Sequence, residues 1–529
     1  MLTVPLADGP KAPRDGTLRS MNAKLRVAAI VLAIAVMAGL ILLVVRPGLN
    51  PARIRPLPLI AAAWVAFLVA AWLLRTVPLR VAVPLILLGG IAVQLAAVSA
   101  PPQNSNDLYR YIWDGRVQAA GIDPYQYVPA ARQLAGLRDE LLWHPGAEYC
   151  VSGADVREHP AADLAAGCTA INRPTVPTIY PPVAEAYFLG VRYLPEADDS
   201  TTPIQAATAL VAVLVTVLLL AGLRALGRDV RMAALWSWCP TVALEAGNSA
   251  HVDVVAVGIA AAALCVLATA RGRRGTVLGG VLLGLAIATK LIPALTLPAV
   301  LARGGAVPRP GGRPPGIPPL LGGNLSPQTP SAPPGWATVS AAVGGAFVAV
   351  YVPHVIAVGA KVIGFLPGYL HQEGYTSGTR FGIIGMFATG RAAIAVAALV
   401  MAVVALAVLR FSDPLQPWRG AVVMTAAALA VATPHYQWYS LLLVMLVALD
   451  GRPEWLAFAA GGYYAAEPGL GHLTPPYRYH DAIAYGVPVL IVALGWLVRR
   501  RLAQRGAAAA EPVPAVPDYQ PAFLPVGYP

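Results

Sequence analysis

The sequence predicts an all-α, polytopic membrane protein: a bundle of about 12–14 transmembrane helices carrying one long polar loop. Three observations carry that expectation. Of 529 residues, 57% are hydrophobic and only 12% charged, whereas a soluble domain is about 25% charged. Apolar runs close to the ~20 residues that cross a hydrocarbon core recur along the chain, and mean hydropathy is +0.62. Lys and Arg gather in short connectors beside those runs, as at Arg224, Arg228 and Arg231, at Arg271, Arg273 and Arg274, and at Arg499 to Arg501. This is the positive-inside pattern of cytoplasmic loops. The net charge of +12 therefore does not signal a nucleic-acid partner.

Taken in order, residues 1–25 form a basic N-terminal tail expected to stay cytoplasmic, with no evident cleavable signal peptide. The transmembrane domain then runs from 26 to 498. Apolar runs at 26–46, 57–74 and 81–100 make three crossings, which place Pro101 onward on the outer face of the cytoplasmic membrane. The connector with Arg46, Arg53 and Arg55 then also lies outside, against the charge rule, and the later loops outweigh it. The loop at 101–201 is the only long polar stretch between spans, and it holds 13 of the 26 acidic residues. That asymmetry marks it as the working part.

Within the loop, Asn104 to Pro129 reads NSNDLYRYIWDGRVQAAGIDPYQYVP. Ser105 or Asn106 can cap a helix start, and Gly121 before Asp123-Pro124 is a stop. Asp107, Arg110, Asp114 and Gln118 share one face of the helix between them, which predicts an amphipathic helix at the membrane surface with carboxylates toward a cavity. The plainer reading is a solvated helix whose Asp and Arg side chains pair. A second interfacial helix is expected after Tyr180-Pro181-Pro182, with an apolar stripe at Val183, Tyr187, Val191 and Leu194. Cys150 and Cys168 lie in the loop, in an oxidising compartment, and are expected to form a disulfide, with two free thiols as the alternative. Cys239 and Cys265 sit in apolar runs as small core residues.

Further spans are expected near 203–223, 232–247 and 252–270. The run 275–302 has basic clusters on both flanks, so it must be a hairpin breaking near Lys290 and Pro293. A Pro/Gly-rich cytoplasmic linker follows at 304–334, then spans near 337–356, 386–409, 420–434, 437–449, 454–467 and 482–498. Residues 499–529 form a basic and then disordered cytoplasmic tail.

Under this topology the polar clusters fall on the outer face: Asp107 and Asp114; Tyr180; Asn248, His251 and Asp253; Lys290; His371, Glu373 and Arg380; and His435. Ionisable groups at membrane depth are costly, which makes them functional candidates. Each has a plainer alternative. His251 and Asp253 fit a helix cap, Lys290 can snorkel to the surface, and His435 fits an aromatic interface belt.

SNDLYRYIWDGRVQAAGIDPYQYVP followed by INRPTVPTIYPPVAEAYF resembles the polyprenyl-phosphate-sugar-dependent membrane glycosyltransferases of the GT-C class. The likeness is strongest to glycosyltransferase family 87 and actinobacterial α-mannosyltransferases. NSAHVDVV, GLAIATKLIPALTLPAVL and PHYQWYSLLL follow in the expected order, so the resemblance spans roughly residues 81–450. The chain departs from the pattern in an insertion around Cys150–Cys168 and in the 304–334 linker.

The resemblance implies an inverting transfer of a sugar, mannose foremost, from a polyprenyl-phosphate donor to a glycolipid or polysaccharide acceptor. Asp107 is the expected base and Asp114 its support. The substrate-binding set is Arg110, Tyr111, Arg116, Tyr180, His251, Asp253, Lys290, His371, Glu373, Arg380 and His435. Lys290 and Arg380 would neutralise the leaving phosphate. No metal site and no cofactor beyond the lipid-linked donor are expected, and membrane lipids surround the protein. A transporter or lipid flippase built on the broken helix at 275–302 is the competing reading, against which stand the acidic loop and the lack of an inverted hydropathy repeat.

Overall fold

The computed structural model describes residues 15–50, 52, 54–152, 163–269, 272–303, 335–466 and 477–509. The first 14 residues, the 304–334 linker and the tail from 510 lie outside them. The chain is an all-α membrane protein. Among the described residues, seven helices are long and apolar enough to span a bilayer, and three shorter apolar helices accompany them.

Helices α1 (Asp15–Val45), α2 (Pro56–Leu74) and α3 (Leu79–Ala97) form an antiparallel trio that leads into the polar loop. The loop folds into a small unit of its own. Its first helix, α4 (Asp107–Ala119), ends at Gly121, whose φ of +77° suits a residue without Cβ. The amides of Gly121 and Ile122 return to Gln118 and Val117, a Schellman-type stop. A hairpin of β1 (Tyr149–Val151) and β2 (Gly167–Thr169) pairs Cys150 with Cys168 across the strands, and the two are disulfide-bonded. Helix α5 (Pro182–Arg192) closes the unit.

Here the structure departs from the surface-helix expectation. Helix α4 buries Leu108, Arg110, Tyr111, Ile112, Trp113, Asp114, Arg116 and Val117, so neither face is left to water or lipid. Helix α5 buries Ala184, Glu185, Phe188 and Val191 rather than the stripe through Val183 and Tyr187, and Leu194 is exposed. The cause is the contact between the two helices. Tyr111 stacks on Phe188 at 4.4 Å, and a Cβ on Gly115 would come within 2.5 Å of Phe188 O. Leu108, Leu134, Leu142 and Ile171 complete this second core. A buried core of that kind selects the facing residues by packing, which helical spacing alone cannot do.

After the loop the chain re-enters the bundle through α6 (Thr202–Ala225). The expected span at 232–247 is not one helix. It runs as a 3-10 turn (Val230–Ala233), two short helical turns and a π-type turn (Ala243–Asn248), interrupted at Pro240, which has no N–H for the ladder. Residues 233–254 are buried throughout, so this irregular backbone faces protein and not lipid.

Helices α7 (Asp253–Thr269) and α8 (Gly272–Ile287) follow. The chain turns at 288–291 and comes back, because Arg303 lies 4.9 Å over the ring of Trp336 and donates its N–H to Leu409 O. Trp336 opens α9 (Trp336–Val358), which runs parallel to α8: Gly280 meets Val339 and Gly284 meets Val343, with no room for a Cβ at either glycine. The return is a hairpin with Lys290 at its turn. Helix α9 emerges on the loop side, where α10 (Leu366–Gln372) lies against the loop through the Phe365 N–H to Thr178 O bond. Helices α11 (Gly390–Phe411), α12 (Pro417–Ala432), α13 (Leu441–Asp450), α14 (Ala457–Ala465) and α15 (Tyr477–Ala509) complete the bundle.

The disulfide closes a loop with a sequence separation of 18. Thiol titration of denatured, unreduced protein should find only Cys239 and Cys265 reactive. Replacing Cys150 and Cys168 by Ala should destabilise the loop unit by about 3 kcal/mol on the chain-entropy account, read as a lower unfolding temperature.

Candidate active site

One large cavity, about 1220 Å³, opens where the loop unit meets the bundle. Its polar wall comes from the start of α4 and from the 172–181 segment, and it includes Asn106, Asp107, Asn172, Arg173 and Tyr180. The opposite wall is apolar, with Leu291, Ile292 and Leu295 from the hairpin return, Leu366 from α10 and Leu429 from α12. Tyr436, Trp438 and Tyr439 form the floor from the turn between α12 and α13.

Asp107 is the acidic residue of that lining. Its Oδ1 accepts from Asn172 Nδ2 at 2.6 Å, and Tyr180 OH donates to Oδ2 at 3.4 Å. Asn172 also reaches Asn106 Oδ1 at 3.0 Å, so one side-chain amide fixes two residues at the helix start. The Asp107 side chain is 18% exposed and lines the cavity. Burial pushes the Tyr180 hydroxyl pKa well above its ordinary value, with the Asp107 charge adding to it. Tyr180 therefore stays a neutral donor to that carboxylate.

Arg55, Arg110, Arg173 and Lys290 line the same space. Lys290 Nζ lies 3.0 Å from Asp253 Oδ2 and 5.1 Å from the Tyr180 ring centroid. The pairing turns it inward to the cavity instead of letting it snorkel. Arg173 donates Nε–H to Gln372 Oε1 at 3.1 Å and lies 3.7 Å from Glu373. Glu373 is a hub: Arg380 Nη1 donates to Oε2 at 3.0 Å and Tyr436 OH donates to Oε1 at 2.7 Å. His435 also lines the cavity and pairs with Asp481 at 2.8 Å.

Several expected site residues lie elsewhere. Asp114 is 2% exposed and bonded to Arg110 Nε at 2.9 Å. It shares a helix face with Asp107 but sits about two turns away, inside the loop core. Tyr111 belongs to the aromatic stack with Phe188. Arg116 pairs with Asp139 at 2.5 Å and Asp198 at 3.2 Å, tying α4 to the far side of the loop. Arg380 stands behind Glu373, so it supports the wall without lining it. His371 is exposed and contacts Thr376 at 3.0 Å. Arg110 does line the cavity, while His251 and Asp253 are buried just beneath it.

Arg173, Asn172 and Glu245 are not among the site residues expected from the sequence. Arg173 and Asn172 stand in the INRPTVPTIYPP motif itself, where a basic residue before a proline-rich turn was a usable signal. Glu245 is the one acid in the apolar run at 232–247, and an isolated intramembrane acid is a site candidate in its own right.

Residues 178–434 match the family model of glycosyltransferase family 87. The match spans just under half of the chain and indicates a membrane glycosyltransferase. The match covers Tyr180, His251, Lys290 and Glu373 but begins after Asp107, which reaches the matched part through Tyr180. No curated protein and no solved structure matches the chain.

Within the loop unit of this glycosyltransferase, Asp114 and Glu185 form a buried acid cluster. Gln118 Nε2 donates to Glu185 Oε2 at 2.9 Å and Thr178 donates to Oε1 at 2.7 Å. Burial pushes the Glu185 pKa well above its usual 4.5, and the neighbouring Asp114 charge raises it further. Burial also raises Asp114, with Arg110 opposing. A carboxyl whose pKa rises on folding keeps its proton in the native state at pH values where the unfolded chain has lost it, so stability falls as pH rises above the ordinary glutamate range. The unfolding temperature in detergent should therefore fall between about pH 5 and 8, and Glu185→Gln should flatten that slope. An unchanged slope would show that Glu185 is charged in the native protein.

Proposed function

We propose that the protein moves a sugar, mannose foremost, from a polyprenyl-phosphate donor to an acceptor hydroxyl at the outer face of the cytoplasmic membrane. It acts as an inverting GT-C-type enzyme that needs no cofactor. The observation that carries this reading is the make-up of one cavity. One carboxylate, Asp107, lines it together with the cations Lys290, Arg173, Arg110 and Arg55, and apolar side chains from the hairpin return, α10 and α12 supply a greasy wall. A lipid-linked anionic donor has these two requirements: its phosphate needs cations, and its chain needs a greasy wall.

In the proposed step the acceptor oxygen attacks the anomeric carbon on the side opposite the phosphate. Asp107 takes the hydroxyl proton as the new C–O bond forms. The anomeric C–O bond to the phosphate breaks, and polyprenyl phosphate leaves with the electron pair. Its growing charge falls between Lys290 and Arg173. Lys290 is already partly balanced by Asp253, so the phosphate would share that ammonium. Fixed charges in a site of low solvent content stabilise a leaving anion more than the same charges would in water.

Membranes holding the protein, given radiolabelled polyprenyl-phosphate mannose, should transfer label to a new glycolipid or glycan. Asp107→Asn keeps the shape and the Asn172 neighbourhood but cannot take a proton, so turnover should fall by at least about 100-fold. Near-normal turnover in this variant would remove Asp107 from the mechanism.

Lys290→Ala and Arg173→Ala should each raise the donor KM by about tenfold or more, the scale of losing a hydrogen bond to a charged group. Arg380→Ala should act indirectly, by loosening Glu373, and should lower stability as well as activity. Unchanged donor KM in both Lys290→Ala and Arg173→Ala would place the phosphate elsewhere.

A further inference from the structure

Beneath the cavity lies a pair of buried groups that the proposed step does not use. Glu245, in the π-type turn Ala243–Asn248, has no solvent exposure. Tyr463 OH donates to its Oε1 at 2.8 Å. Its Oε2 has no hydrogen-bond partner among the described residues and lies 3.4 Å from His251 Nε2. His251 is also fully buried, and its other nitrogen, Nδ1, is 3.9 Å from Asp107 Oδ2. Neither nitrogen makes a bond of hydrogen-bonding geometry.

The backbone holds this arrangement at some expense. His251 N–H donates to Glu245 O at 2.9 Å, which locks the two residues together. Of the two residues between the turn and His251, Ala250 has φ +53°, a left-handed conformation that costs an alanine about 1–2 kcal/mol. The imidazole is stacked on Trp438 at 3.8 Å with an interplanar angle of 24°, so its plane is fixed. Asp253, two residues on, is engaged with Lys290. What remains is a ring with one nitrogen facing Glu245 and the other facing Asp107.

We propose that Glu245 and His251 are positioning residues for Asp107. This rests on the reading of Asp107 as the base. Glu245, as a protonated carboxyl, donates to His251 Nε2, which leaves the imidazole proton on Nδ1, and Nδ1–H then holds Asp107 Oδ2 toward the acceptor hydroxyl. The 3.9 Å and 3.4 Å separations shorten when substrate enters, as catalytic hydrogen bonds that are long in the free enzyme commonly do. The π-type turn and the strained Ala250 are the local structure that brings an acid and an imidazole six residues apart into line. Such turns and strained residues recur at functional sites.

The competing role for His251 is packing against Trp438, and substitutions separate the two. In purified full-length protein supplied with polyprenyl-phosphate mannose and a membrane lipid extract, His251→Phe keeps an aromatic ring on Trp438 but removes both nitrogens. Its kcat should fall by about 100-fold, the scale of losing an aligned reacting group, with donor KM changed less than about threefold. His251→Asn places an amide N–H near the Nδ1 position and should recover part of that loss. Retained kcat in His251→Phe would overturn the proposal in favour of packing. A raised donor KM at unchanged kcat would overturn it in favour of donor binding.

If His251→Phe fails to fold, Glu245 carries the test. Glu245→Gln can still place a donor on Nε2 and should turn over at least about tenfold faster than Glu245→Leu; equal turnover in the two would overturn the proposal. Should wild type transfer no label, or Asp107→Asn stay active, the base assignment fails and this inference falls with it. Should Asp107→Asn be inactive while His251→Phe and Glu245→Leu match wild type, only the inference fails.

Discussion

The side-chain amide of Asn248 fixes where the loop unit leaves the membrane bundle, and the site depends on it. Its Nδ2 donates to Ala97 O, Ala100 O and Pro101 O at 3.1–3.2 Å, and its Oδ1 accepts from Gln103 N at 2.9 Å. Gln205 Nε2 adds bonds to Ala100 O and to Asn248 O. The end of α3 leaves carbonyls without helical partners, and in an interior closed to water each would cost the desolvation of a polar group. Two buried side-chain amides satisfy them instead. Asn248 also ends the π-type turn that carries Glu245, so the same residue sets the entry to α4 and the floor beneath it.

From that anchor the chemistry is assembled across distant parts of the chain. Asp107 comes from the first turn of α4, Lys290 from the break in the 272–303 hairpin, and Arg173 from the turn before α5. Each occupies a place where regular structure stops. A helix start or a broken turn is where a side chain can face a cavity without a neighbouring turn in the way. The membrane setting makes this stricter, since irregular backbone is tolerated only where protein or a water-filled space covers it.

Three cations of the cavity wall have partners within the protein. Lys290 has Asp253, Arg173 has Glu373 and Gln372, and Arg110 has Asp114. Paired charges keep their places in a poorly solvated wall, whereas unpaired ones would be costly to hold there. An entering phosphate would meet oriented donors and would not have to order them, and preorganisation of this kind is the larger part of electrostatic stabilisation in enzymes.

The sequence alone determined the class of protein, the spans other than 232–247 and the one long polar loop, because these follow from hydropathy and from where charge is allowed. Gly121 ends α4 and Lys290 marks the hairpin turn for the same local reasons: a backbone conformation in one case, a charge inside an apolar run in the other. The family resemblance was legible in motifs at Tyr180, His251 and Lys290. What only the tertiary structure decided is which of the spaced residues meet. Helical periodicity put Asp107 and Asp114 on one face, but packing of α4 on α5 left the first at the cavity and sealed the second in the loop core with Glu185. Arg380 gave way to Arg173 at the wall because Glu373 stands between them. Periodicity fixes the direction of a side chain about its own axis, whereas burial depends on what packs against that axis, and those partners here lie tens to hundreds of residues away.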